Sequence, residues 1–214
     1  MPVRLRERDD RGWSPVDGDE TTTLVRRASA GDRAAATHLL TGLAPRVRNL
    51  VRYLVRRDRD VDDIAQDALI AILRGLPGYR ADGSLTSWAD RIVVRVTFAS
   101  LRRAKADGPL RGLSSLPPAD IAGDQVAPDE YVLRRWAVTV LDELPQEQRH
   151  AVVLHHLLDL SIPEIAEELG APFETVRSRL RLARARLRAR GVALGKETLS
   201  ASDFPVSGND EGLT

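Results

Sequence analysis

Apolar residues recur with helical spacing through two stretches of the chain, residues 21 to 104 and 129 to 190, and neither shows the strict alternation of a strand. In the first stretch Gly31-Asp32 separates a short helix from the next, and Asp32 is placed to cap the amides that follow. Pro45 is placed to open a further helix at its first turn, running through VRNLVRYLV. From Asp60 to Leu76, residues Ile64, Ala68, Ala71 and Ile72 share one face while Asp62, Asp63, Gln66 and Asp67 lie largely elsewhere. That pattern predicts an amphipathic helix with an acidic face. The segment GLPGYRADGSLTS breaks the period, and a last helix from about Trp88 to Arg103 ends on a basic pair.

In the second stretch residues 129 to 144 form one predicted helix, and Pro145 starts another that runs to about Leu158. Ser161-Ile-Pro-Glu164 reads as a capping box, in which hydroxyl and carboxylate satisfy each other's orphan amides. A helix of about two turns follows, closed by Gly170 and Pro172, and a final helix from about Phe173 to Arg190 lines up Val176, Leu180, Ala183 and Leu187 on one stripe. Between the stretches, residues 105 to 128 carry four prolines with interspersed glycines and no apolar period. This reads as a flexible linker that could reach on the order of 80 Å when fully extended. The polar segments 1–20 and 192–214 read as disordered tails. The fold expected is all-α: two small helical domains, 21–104 and 129–191, joined by the linker 105–128.

Composition supports this. Hydrophobic residues make up 43% of 214 but aromatics only 4%, so the cores must be aliphatic, which suits helices. With no run of about 18 apolar residues and no apolar leader in MPVRLRERDDRG, the expectation is a cytoplasmic protein without membrane insertion. The absence of cysteine excludes disulfides, thiol catalysis and Cys-based zinc sites. The net charge of +1 conceals segregation: residues 173 to 191 carry seven arginines against Glu174 alone, whereas residues 120 to 170 carry eleven acids against three arginines. A basic helix on an acidic body is an electrostatic footprint for phosphate.

The short helix, tight turn and long basic helix form a helix-turn-helix whose second helix would enter a major groove. Opposite its apolar stripe the wheel presents Thr175, Ser178, Arg181 and Leu182, flanked by Arg177 and Arg184 on one side and Arg179 and Arg186 on the other. Outward groups can read base edges, and flanking guanidiniums can hold phosphates. The bland alternative is a solvated arginine face, which the turn signature immediately upstream disfavours. Asp58, Asp60, Asp62, Asp63 and Asp67 could be a metal cluster but read better as complements to a helix dipole, so no metal is expected. His155 and His156 point about 100° apart on a helix and read as solvated side chains rather than ligands of one metal. Trp88 suits equally a core anchor and a platform facing a nucleic-acid strand.

The stretch LDELPQEQRHAVVLHHLLDLSIPEIAEELGAPFETVRSRLRLARARLR resembles region 4 of the extracytoplasmic-function sigma factors, the region that binds the minus-thirty-five promoter element. The resemblance points to Glu174, Thr175, Arg177, Ser178, Arg179, Arg181, Arg184 and Arg186 as DNA-binding positions. Glu174 stands where the family usually has Gly, and Leu182 where it usually has Arg, which implies an atypical promoter sequence. SAGDRAAATHLL, DVDDIAQDAL and SLTSWADRIVVRVTFASLRR resemble region 2 more weakly. They imply that Asp62, Asp63, Gln66 and Asp67 grip core RNA polymerase, and that Tyr79, Arg80, Ser84, Ser87, Trp88, Arg91, Arg102 and Arg103 serve the minus-ten element, with Tyr79 to Ser87 as its loop. Arg95 and Ala99 stand where Asn and Asp are usual. The partners implied are core polymerase, through its beta-prime clamp helices and beta flap, and promoter DNA; family habit adds an anti-sigma factor as an expectation. No cofactor and no enzymatic activity are expected. The rival is a one-component helix-turn-helix regulator that binds duplex DNA without polymerase, which leaves the first stretch unexplained. A second rival, an all-helical metal-dependent hydrolase, lacks the inward Glu-x-x-His pairs it would need.

Overall fold

The computed structural model describes residues 19–56, 60–106 and 128–192, all helix and turn without a strand among them. Most of the expected tails and of the expected linker lies outside the described residues, as does Asp58; Asp19 and Glu20, expected in the first tail, are helical, and Val192, expected in the second, is buried. Eight α-helices are described: α1 (Asp19–Ser29), α2 (Arg33–Leu54), α3 (Val61–Gly75), α4 (Leu85–Ala106), α5 (Pro128–Asp142), α6 (Gln146–Val152), α7 (Ile162–Leu169) and α8 (Phe173–Ala189).

Asp32 caps α2 as its position predicts, accepting from the amides of Ala34 at 2.9 Å and Ala35 at 3.1 Å. Gly31 makes the preceding turn at φ 93°, a conformation that costs a side-chain-bearing residue strain. Pro45 does not open a helix; it lies inside α2, which runs unbroken to Leu54. Ala35, Leu39, Leu43, Val47, Leu50, Val51 and Leu54 form one buried stripe spanning the proline, and burying it outweighs the hydrogen bond that Pro45 cannot donate. Helix α4 begins a turn earlier than predicted, because Leu85 is buried and the Ser84 hydroxyl accepts from the Ser87 amide at 3.1 Å. The segment Tyr79 to Ser87, expected as a loop, is accordingly loop only in its first part, since Leu85, Thr86 and Ser87 are helical.

The helix after Pro145 ends in a widened turn over Val153–Leu157, where the Leu158 amide reaches the Val153 carbonyl at 3.3 Å. This turn carries His155 and His156 inward, contrary to the expected solvated pair. His156 is buried, and the Nδ1–H of His155 donates to the Leu160 carbonyl at 2.9 Å.

One aliphatic core runs through both blocks, from Leu43, Val51, Ile64 and Ile72 to Leu154, Ile165, Val176 and Leu180. A smaller cluster of Val25, Ala28, Ala35, Leu39, Leu76 and Leu85 seats α1, and Trp88 packs against both.

Candidate nucleic-acid interface

The turn before α8 is built as its residues dictate. The Ser161 amide and hydroxyl donate to one Glu164 carboxylate oxygen at 2.9 and 2.7 Å, which holds that carboxyl below its ordinary range. Gly170 ends α7 in the left-handed region at φ 58°, and the chain re-enters a helix at Phe173. Val176, Leu180, Ala183 and Leu187 are all buried, so α8 lies at the angle its stripe predicts. Arg181 and Leu182 are exposed on the outer face, and Thr175 and Ser178 are half-buried beside them. The flanking arginines are engaged with their neighbours. Arg177 lies over the Phe173 ring at 4.7 Å and 3.7 Å from Glu174. On the other flank Arg179 is 3.7 Å from Glu147, and Arg186 donates to Gln148 Oε1 at 3.0 Å. Arg184 is half-buried, and desolvation lowers its pKa.

In the first block Asp62, Asp63, Gln66 and Asp67 are exposed on α3, with Asp62 paired to Arg48 at 2.8 Å. Asp62 and Asp63 stand in the first turn, where carboxylates complement the helix dipole. Ile70 and Leu73 emerge half-exposed one and two turns further along that side, apolar residues that the acidic pattern obscured. Helix α4 is pinned to α2 by Arg46, whose Nε and Nη2 donate to the two oxygens of Asp90 at 2.9 and 2.6 Å. Burial pushes the Asp90 carboxyl up despite that partner. Trp88 is half-buried, 5.3 Å from the Tyr79 ring, and lies so close to Gly75 that a Cβ there would stand 3.1 Å from Cζ2. The Tyr79 hydroxyl donates to the Gly83 carbonyl at 2.6 Å, closing the loop that holds Arg80. Arg80, Ser87, Arg91, Arg95, Arg102 and Arg103 are exposed, while Ser84 is half-buried. By helical spacing Arg91, Arg95 and Arg102 fall on the face of α4 that Trp88 begins.

Residues 39–106 match the family Sigma-70 region 2, and residues 134–187 match Sigma-70, region 4. The ECF RNA polymerase sigma factor SigM of Mycobacterium tuberculosis is 39% identical over 158 residues, covering 74% of this chain and 78% of SigM. This chain is an extracytoplasmic-function sigma factor. It is a transcription initiation factor that binds core RNA polymerase and directs transcription from specific promoters. The ECF RNA polymerase sigma-E factor of Escherichia coli K12 is 29% identical over 170 residues, covering 75% of the chain and 88% of that relative. Among solved structures, that of CnrH in complex with the cytosolic domain of CnrY aligns with a TM-score of 0.49 and 23% identity, over 80% of this chain and 97% of CnrH. A lone helix-turn-helix regulator leaves the region 2 match unexplained.

The two blocks of the sigma factor meet along a polar seam that residue spacing did not reveal. Arg149 is fully buried; it pairs with Asp142 and donates from Nε and Nη2 to the carbonyls of Tyr53 and Arg52 at 2.5 and 2.6 Å. Arg52 reaches back to the same carboxylate at 2.9 Å, and Arg56 donates to the carbonyls of Asp142 and Leu144. Desolvation alone would raise the Asp142 pKa, but hydrogen bonds from Arg52 and Arg149 bring it below its ordinary value. His150 is buried against the Phe98 ring at 4.8 Å, and its Nε2–H donates to the Leu54 carbonyl at 3.1 Å. Desolvation pushes its pKa down to about 4. Further along, Arg91 Nη2 meets Glu164 Oε1 at 3.3 Å, and Glu168 lies within the electrostatic reach of Arg95, Arg102 and Arg91.

Proposed function

We propose that this sigma factor docks on the polymerase clamp helices with the outer face of α3, reads the minus-thirty-five element with α8 and holds the melted minus-ten strand along α4. The region boundaries proposed are 21–104 for region 2, 105–128 for the linker and 129–191 for region 4, with the beta flap of polymerase taking the last. The reading rests chiefly on the two sigma regions standing in order on one chain, each with its charged face outward. Asp63, Gln66 and Asp67 would supply the polar contacts to polymerase, with Ile70 and Leu73 as the apolar anchors that an interface core requires. Arg181 and Ser178 would read base edges, Arg177 would sit between base and phosphate, and Arg179, Arg184 and Arg186 would follow phosphates. Tyr79, Arg80, Ser84, Ser87, Trp88, Arg91, Arg102 and Arg103 would serve the unpaired strand by stacking and by backbone charge. Polymerase performs the phosphoryl transfer; this subunit supplies address and strand opening, acts in the cytoplasm and is not itself an enzyme.

Run-off transcription with purified core polymerase tests this directly. Promoter-dependent transcripts and co-elution with polymerase are expected. Tight duplex binding with no polymerase association would replace the reading with the one-component regulator.

A further inference from the structure

We propose that Leu182 is a specificity-determining residue of α8, selecting a thymine in the upstream promoter element by apolar contact with its C5 methyl group. The inference deepens the reading of α8 given above and rests on it.

Leu182 is 44% exposed in the middle of the helix that carries the reading face. At about 100° per residue, Ser178 and Ala185 project directly away from the buried stripe, with Arg181 about 50° to one side and Leu182 about 50° to the other. Arg181, Leu182 and Ala185 are exposed, and Ser178 is half-buried. The arginines nearest Leu182 on its own side are drawn toward α6: Arg179 lies 3.7 Å from Glu147, and Arg186 donates to Gln148 Oε1 at 3.0 Å. Their guanidiniums are thereby held off the leucine, which stays open to whatever a groove presents. A single exposed leucine on a protein surface is ordinary. This one is set among arginines, on the face that a base edge would meet.

Only one base offers such a side chain a favourable surface. In the major groove guanine presents N7 and O6, adenine N7 and its amino group, and cytosine its amino group. Pressing an aliphatic side chain against any of these strips water from a donor or acceptor and supplies no partner in return, which is unfavourable. Thymine alone carries a methyl group at its major-groove edge, beside the O4 acceptor. Contact with Leu182 buries apolar surface on both partners. Ser178, one turn earlier, and Arg181 alongside keep the polar readout of neighbouring base pairs. Four residues of helix rise about 6 Å against about 3.4 Å per base step, so the thymine stands within about two base pairs of the one that Arg181 reads.

Holoenzyme reconstituted from core polymerase and the full-length chain, used to select duplexes from a randomised library, supplies the preferred upstream element. Each thymine of that element is then replaced singly by deoxyuridine, which removes the methyl group and leaves O4 and the pairing edge intact. At one position the replacement should weaken wild-type binding about fourfold, as expected for one buried methyl group. Leu182→Ala should bind the unmodified duplex about fourfold less tightly and be indifferent to deoxyuridine at that position, whereas Leu182→Met should stay sensitive to it. Arg181→Ala should relax the preference at a neighbouring base pair and keep the methyl effect. The absence of any sensitive thymine in the wild-type series would overturn the proposal, as would a methyl effect that survives in Leu182→Ala. Arg181→Ala keeps the two ideas apart. If it shifts the base preference while no methyl effect depends on Leu182, the inference fails and the reading of α8 stands. If no upstream element is selected, that reading fails and takes the inference with it.

Discussion

Arg181 and Trp88 illustrate how position on a helix separates reading from packing. Arg181 is exposed on the outer side of α8, away from the four buried residues of the stripe. Arg181→Ala should therefore cost about 1 to 3 kcal/mol on the preferred minus-thirty-five duplex and much less on a scrambled one, as measured by binding at several salt concentrations. Arg179 and Arg186 face Glu147 and Gln148, so losing either should weaken both duplexes alike. Trp88 touches both apolar clusters and nearly fills the space above Gly75. Trp88→Ala should lower stability by about 2 to 4 kcal/mol in chemical denaturation, besides impairing promoter opening. Retained stability with loss of open complexes alone would make Trp88 a stacking platform first.

At the scale of the element, the capping box and the left-handed glycine were legible because they depend on residues three to nine positions apart. Ser161→Ala should cost about 1 kcal/mol by removing the cap of α7, and should loosen DNA binding through the tilt of α8. Helix α2 carries the contrary lesson. Proline starts helices often enough to be read as a start signal, yet here a buried stripe on both sides of Pro45 holds a single helix together. Pro45→Ala restores a backbone donor within that helix and should raise the melting temperature, by an amount equivalent to about 1 to 3 kcal/mol. An unchanged or lower melting temperature would mean that the ring's own packing matters more than the missing bond.

The whole molecule should respond to acid through the seam. His150 is neutral when buried between Phe98 and the Leu54 carbonyl, and nearby Arg149 and Arg179 oppose its protonation. Its pKa is lowered from 6.5 to about 4, so the unfolded chain takes up a proton in this interval while the folded chain does not. Stability from this group is complete above pH 6.5 and declines as the pH falls toward 4, by about 3 kcal/mol at most. Asp142, with its lowered pKa, should lose its contribution only at lower pH, below the ordinary carboxylate value. Asp90 and Glu168, both raised, act in the opposite sense. Comparing wild type with His150→Gln in denaturant titrations from pH 7 to 5 isolates the histidine, and a constant difference between them would refute its assignment.

What the sequence determined by itself was local or repeated at a fixed period: helical class, the Asp32 and Ser161 caps, the buried stripe of α8, the outward placement of Arg181 and the acidic side of α3. Each follows from hydrogen bonds or side-chain directions within a few turns of one helix. Tertiary structure alone decided that Arg149 and His150 are buried, because their partners Arg52, Tyr53 and Leu54 lie almost a hundred residues away and leave no periodic trace. It also decided that Pro45 sits inside a helix, that the His155-His156 turn widens inward, and that Glu164 of α7 meets Arg91 of α4. Charge patterns disclose which faces are polar, but complementarity between two of them depends on how the helices pack.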